Sequence, residues 1–245
     1  MRDTRSASLD RTRLSHRAGP VLVPLALAAL GGTVVIVALQ AVLGGTAAGL
    51  RGAVAVFLLV CLTVAVQMRR GYPHCRFGAC NAVTLLRAAL ACSLLSPLIG
   101  GQAAGWAVAG VAGIGLMLDG LDGHLARRSG LASRFGARFD MEVDAGLALV
   151  LSLHILAGTA VGAEILVLGL IRYGFVLAGL AWPWLRADLP DRRWRKAVCV
   201  LQIAVLILLQ TPLPSRDGAI ILARLAAGAL IWSFAVDIRW LWARR

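Results

Sequence analysis

The chain has 245 residues, 59% of them hydrophobic, with a mean hydropathy of +0.80. That composition excludes an ordinary soluble globular domain and points to apolar helices. The formal charge of +13 would suit nucleic acid, but the basic residues lie between apolar runs rather than on one patch, so nucleic acid is excluded as a partner. In chain order, eight apolar runs read as membrane spans, roughly 20–44, 52–68, 81–99, 104–126, 137–158, 161–183, 196–211 and 218–239. Most approach the roughly 20 residues that a bilayer crossing needs. Backbone groups cannot stay unpaired in lipid, so the expected fold is all-α, a polytopic membrane helix bundle.

The charges between the spans set an expected topology. With the N-terminus inside, the segments on that side hold 20 of the 25 basic residues, and only Arg51 and Arg216 fall outside. Such a bias predicts an even number of spans with both termini in the cytoplasm of a cell (inner) membrane protein. Residues 1–19 read as a basic cytoplasmic segment. Residues 20–77 read as an appended hairpin and linker, because the first two spans carry no charge in their interiors. Residues 78–245 form the remaining domain. In the linker, His74, Cys75 and Cys80 match no standard zinc spacing and read as an interfacial loop.

One stretch of this apolar chain is acidic. It reads Asp119-Gly-Leu-Asp122-Gly123-His-Leu-Ala126-Arg127, and after eight residues Gly136-Ala-Arg-Phe-Asp140-Met-Glu-Val-Asp144. Carboxylates are costly at membrane depth and mark function there. At about 100° per residue, Asp122, Gly123 and Ala126 lie within about 60° of Asp119, and Arg127 sits at the edge of that face. Gly136, Asp140 and Asp144 are four apart and stack on one stripe of the next helix. A short connection makes the two helices antiparallel neighbours, so all four acids are expected to meet at the cytoplasmic end. A lone membrane aspartate commonly pairs helices, but four at this spacing, interleaved with small residues, fit that role poorly. Four bare carboxylates repel one another, and hard divalent cations relieve the repulsion. Two such ions form the clamp of phosphoryl-transfer sites. Gly123 and Ala126 leave room for a base or sugar, and Arg127 offers a planar fork to a phosphate.

These residues resemble the CDP-alcohol phosphatidyltransferase family, whose motif D-x-x-D-G-x-x-A-R-x8-G-x3-D-x3-D is matched by Asp119, Asp122, Gly123, Ala126, Arg127, Gly136, Asp140 and Asp144 with every gap correct. Asn81-Ala-Val-Thr84-Leu-Leu-Arg87 resembles the family's opening N-x-x-T-x-x-R. The resemblance implies a six-helix membrane core, a homodimer and two divalent cations, Mg²⁺ or Mn²⁺, on Asp119, Asp122, Asp140 and Asp144. It implies Asp144, beside Asp140, as the catalytic base. Nucleotide contacts are implied for Gly123, Ala126 and Arg127, and on the opening segment for Asn81, Thr84 and Arg87. The implied activity moves a phosphatidyl group from a CDP-linked donor such as CDP-diacylglycerol to a small alcohol, with release of CMP, in phospholipid biosynthesis. Lys196, Cys199 and Gln202 follow a further family pattern that has Thr at the Cys199 position.

The acceptor is less legible. Arg172, near mid-span, needs an anionic partner, either an aspartate or an anionic acceptor. Arg192, Arg193, Arg195 and Lys196 cluster at the inner mouth. That basic setting suits glycerol phosphate or inositol phosphate, with Arg172 and Lys196 as contacts, but inside loops are also basic for topology alone. Glu142 faces away from the aspartate stripe, and His124 and His154 read as packing or hydrogen-bonding residues. The alternative function is a transporter that passes cations along intramembrane carboxylates. It would need a polar path outward, and the outer halves of the spans around the acids are bland.

Overall fold

The computed structural model describes residues 3–74, 76–101, 105–159, 161–187, 189 and 193–245, with side chains undescribed for 3–20, 71 and 193. Cys75 and Arg192, and the Arg193 side chain, therefore lie outside the described residues. Among the described residues the helices are α1 (Asp3–Leu43), α2 (Ala47–Gly71), α3 (Gly78–Ser93), α4 (Leu95–Ile99) and α5 (Trp106–Ser129). They continue with α6 (Arg134–Gly158), α7 (Leu166–Ala181), α8 (Arg193–Leu208) and α9 (Arg216–Trp242). Single 3₁₀ turns precede α7 at Ala163–Ile165 and follow it at Pro183–Arg186. The fold is all-α, as the composition requires.

Seven helical segments among the described residues are long and apolar enough to cross a membrane: Val21–Leu43, Ala47–Arg70, Gly78–Ile99, Trp106–Ser129, Arg134–Gly158, Ala163–Ala181 and Arg216–Trp242. The eighth expected span, 196–211, is the 16-residue α8. At 1.5 Å per residue it is about 24 Å long, short of a hydrocarbon core of about 30 Å. Turns at Gln210 and Thr211 extend it slightly, and Pro212 then stops it. α8 is nonetheless inside the bundle, packed on α5, α6 and α9. The first crossing, Val21–Leu43, agrees with the expected 20–44, and helix α1 extends on its N-terminal side to Asp3.

Buried apolar side chains form two clusters that share α3. One takes Leu90, Ala91 and Leu94 with residues of α5 through α9, and the other takes Leu85, Ala88, Ala89 and Cys92 with α1, α2 and α6. Alanine at three of those positions lets neighbouring helices approach closely. Gly49 shows how tightly the hairpin docks: a Cβ there would lie 2.4 Å from the Ser96 carbonyl oxygen of α4. Ser96 Oγ also donates to Gln40 Oε1 at 2.6 Å. Between α3 and α4, His154 Nε2–H donates to the Leu94 carbonyl at 2.8 Å, the hydrogen-bonding role expected of it.

The α5–α6 connection decides the site. Gly130 takes φ +68°, a left-handed conformation that suits glycine, and its N–H and that of Leu131 both return to the Ala126 carbonyl. Ser133 then caps α6, its Oγ accepting from Gly136 N at 3.0 Å. A left-handed stop three residues before an N-cap leaves a very short turn, which brings the acidic ends of α5 and α6 together. The two helices are not the packed neighbours that the short connection led us to expect, because α3 and α8 each pack against both.

Candidate metal centre

The four aspartates converge, and they converge on Arg87. Its Nη2 lies 3.1 Å from Asp119 Oδ1 and its Nη1 2.9 Å from Asp122 Oδ2. Nη1 also donates to Asp140 and Nη2 to Asp144. The Nε–H donates to the Gly115 carbonyl at 3.1 Å, which anchors the guanidinium against α5. Arg87 is 2% exposed, and Asp122 and Asp119 are 4% and 8% exposed. Charges so dehydrated persist only when paired and hydrogen-bonded. The family-like sequence pattern expected Arg87 at a nucleotide. In this structure it is the hub of the acidic cluster.

The opening segment of α3 supports the hub. Thr84 Oγ–H reaches both the Cys80 carbonyl and Asp122 Oδ2, each at 3.0 Å. Asn81 Nδ2 donates to the Tyr72 hydroxyl at 2.8 Å and to the Phe77 carbonyl. Burial raises the Tyr72 pKa above its usual value, so the phenol stays protonated and keeps this corner neutral. Across the helix pair, a Cβ on Gly136 would sit 3.3 Å from the capping Ser133 Oγ and 3.7 Å from Asn81 Oδ1. Glycine there spares the cap and lets α6 lie against Asn81. Gly123 borders Arg127, whose Nη1 would lie 3.4 Å from an added Cβ. Arg127 is otherwise exposed, beside Ala126 near the C-terminal end of α5.

The donor set suits a hard cation. Asp119, Asp140 and Asp144 each offer an oxygen, and these three atoms lie within 4.8 Å of one another. One guanidinium against four carboxylates leaves a formal charge of about −3 in a mostly dry place, which divalent ions would neutralise. Arg87 and such ions draw on the same oxygens.

The acceptor candidates make no ion pair with the four aspartates among the described residues. Arg172 pairs with Glu142 rather than with an aspartate of the cluster. Lys196 is exposed. Arg195 reaches Asp237 Oδ2 at 3.6 Å. Sequence reading passed over Asp237, a 5%-exposed carboxylate on the last helix whose Oδ1 has no hydrogen-bond partner among the described residues. Its only signal was an acid within a span. It also missed Tyr72, whose role depends on a contact with Asn81 nine residues on.

The family model for CDP-alcohol phosphatidyltransferase matches residues 77–237, about two thirds of the chain. The chain belongs to the CDP-alcohol phosphatidyltransferase family. No match is found among curated proteins, and none among solved structures. The matched region begins with α3 and ends at Asp237, so this phosphatidyltransferase carries α1 and α2 outside its family core. Its apolar helices make it a multi-pass membrane protein.

Proposed function

We propose that the protein moves a phosphatidyl group from a CDP-linked donor such as CDP-diacylglycerol to a small alcohol, releasing CMP. The observation that carries this reading is the meeting of Asp119, Asp122, Asp140 and Asp144 around one guanidinium, within a family domain of this activity. In the proposed reaction the acceptor hydroxyl oxygen bonds to the β-phosphorus, and the bond from that phosphorus to the oxygen of CMP breaks. Asp144 takes the hydroxyl proton. Asp119, Asp122, Asp140 and Asp144 would hold two divalent cations, Mg²⁺ or Mn²⁺, which supply charge neutralisation of the diphosphate when bound. Gly123, Ala126 and Arg127 would receive the cytidine and its phosphate, with Asn81, Thr84 and Arg87 bordering them. Positioning and fixed charge carry most of such a transfer.

The acceptor is a phosphorylated polyol, glycerol phosphate or inositol phosphate, with Arg172 and Lys196 at the entrance. Counted with α8 as a crossing, the spans number eight, and the basic bias puts both ends and the site at the cytoplasm of the inner membrane. The hairpin 20–77 forms its own unit beside the domain 78–245, after the basic segment 1–19, and the assembly is a homodimer. A cation transporter would need a polar path beyond the acids, whereas α5 and α6 continue there with Val108, Ala112, Leu147 and Leu151, and the polar Ser152 and His154 bond to the Ala148 and Leu94 carbonyls.

The test uses the purified full chain with CDP-diacylglycerol, Mg²⁺ or Mn²⁺ and a panel of polyols and polyol phosphates. CMP should appear with one phosphorylated polyol and stop on chelation. No CMP with any cytidine-linked donor would end the reading.

A further inference from the structure

The side of α6 turned away from its aspartates borders a cavity that the proposed reaction leaves unused. It encloses about 500 Å³. Its walls are α2 from Val56 to Gln67, α3 from Ala88 to Cys92 with Leu95 of α4, α6 from Phe135 to Leu153, and Tyr173 of α7. None of the four aspartates lines it, and neither does Arg87 or any residue of α5. Counted around α6 from Asp140, the lining positions Glu142, Gly146, Leu149 and Leu153 fall about 120–180° away.

The cavity is apolar along its length and polar at one end. That end holds Gln67, Arg138 and Glu142. Glu142 is already paired with Arg172. Arg138 is exposed and makes no ion pair or hydrogen bond among the described residues. The mouth therefore carries one uncompensated positive charge, in the first turns of α6 and so at one end of the Arg134–Gly158 span. From Arg138 to Leu153 the helix rises about 22 Å. That is comparable to one leaflet with its headgroup region, half of a bilayer about 40–45 Å thick. A helix about 10 Å across could not fit along that length in this volume. At liquid-hydrocarbon density the volume is the room of one long alkyl chain, and bare walls would forfeit their contacts.

We propose that this slot holds one acyl chain of a resident anionic phospholipid whose phosphate meets Arg138. The lipid is distinct from the donor, because a diphosphate at the aspartates lies across α6 from the slot. The α2 wall lies outside the family-matched residues, so the hairpin completes a lipid site that the family core lacks.

Native mass spectrometry of the full-length protein in detergent, titrated with phosphatidylglycerol and with phosphatidylcholine of the same chains, tests this. One phosphatidylglycerol should remain bound, favoured over phosphatidylcholine by about fivefold, as one basic side chain near an anionic lipid provides. Gly146→Leu should remove that lipid, because a Cβ at Gly146 meets nothing within 4 Å and the side chain enters the slot. Val60→Trp plugs the slot from the α2 wall and should do the same if Gly146→Leu fails to fold. Arg138→Gln should keep a bound lipid but lose the headgroup preference. Unchanged retention in a folded plugged variant, or an unchanged preference in Arg138→Gln, overturns the proposal. So does displacement of the retained lipid by stoichiometric CDP-diacylglycerol, which makes the slot the donor's own. A plugged variant that loses a dimer and keeps its lipid overturns it too, by assigning the cavity to a second copy.

Discussion

The hairpin α1–α2 and the helix α3 are all apolar spans, yet they differ in what they bury. About 67% of the α3 window is buried in the molecule, against 22% for the first span and 28% for the second. The hairpin presents large aliphatic side chains such as Val23, Leu27, Leu59 and Leu62 outward. α3 instead carries Asn81, Thr84 and Arg87 inward, spaced among alanines. Hydropathy recognises both as membrane helices. Only the polar residues, and the small residues that let neighbours close over them, separate a helix that faces lipid from one that organises a site.

The comparison is broken most severely at the acids. Asp140→Asn or Asp144→Asn should lower CMP release at least about a thousandfold, as a lost charge contact in phosphoryl transfer costs several kcal/mol. Near-normal turnover by either variant would remove the cluster from the chemistry. Arg87→Ala tests α3 itself. It leaves four facing carboxylates without their shared cation, and breaking such a buried pair costs about 3–5 kcal/mol. Its melting temperature should fall in chelator and recover far more with Mg²⁺ than the wild type's does. Equal Mg²⁺ responses would show that the guanidinium and the metal do not share oxygens.

The hairpin should respond in stability and not in chemistry. Gly49→Val drives side-chain atoms into the Ser96 carbonyl and should cost about 1–3 kcal/mol, read by thermal or denaturant unfolding. CMP release per folded molecule should change little. A large loss of turnover with normal unfolding would mean that the hairpin is coupled to the site. Smallest is Thr84→Val, which removes one hydrogen bond to Asp122 and should cost about 1–1.5 kcal/mol, hence about tenfold in turnover at most. A loss as large as that of the aspartate variants would promote Thr84 from supporting the site to taking part in it.

Several features were legible before any coordinates. Eight apolar runs were visible, and their bounds fall within a few residues of the helices observed for most spans, because a residue's cost in lipid depends mainly on its own side chain. The first span, expected at 20–44, is found at Val21–Leu43. α8 came up short because the apolar run expected there, 196–211, is itself only about 16 residues long, held between Arg195 and Pro212. Arg172 was expected to need an anionic partner, and Glu142 is that partner. Their separation of 30 residues gave no local sign of it.

What this chain settled by sequence alone is the set of membrane helices and the two acidic faces, Asp119 with Asp122 and Asp140 with Asp144. Helical periodicity is local, so spacing suffices to place those pairs. The depth of Arg87 in its span called for a pyrophosphate or an aspartate as partner. Only the tertiary structure decided that it would be the common cation of all four acids, across separations of 35 to 57 residues from Asp122, Asp140 and Asp144. It alone placed α3 between hairpin and bundle and opened a slot behind α6. A buried charge takes whichever partner packing brings within reach once water is gone, and no stretch of sequence carries that information by itself.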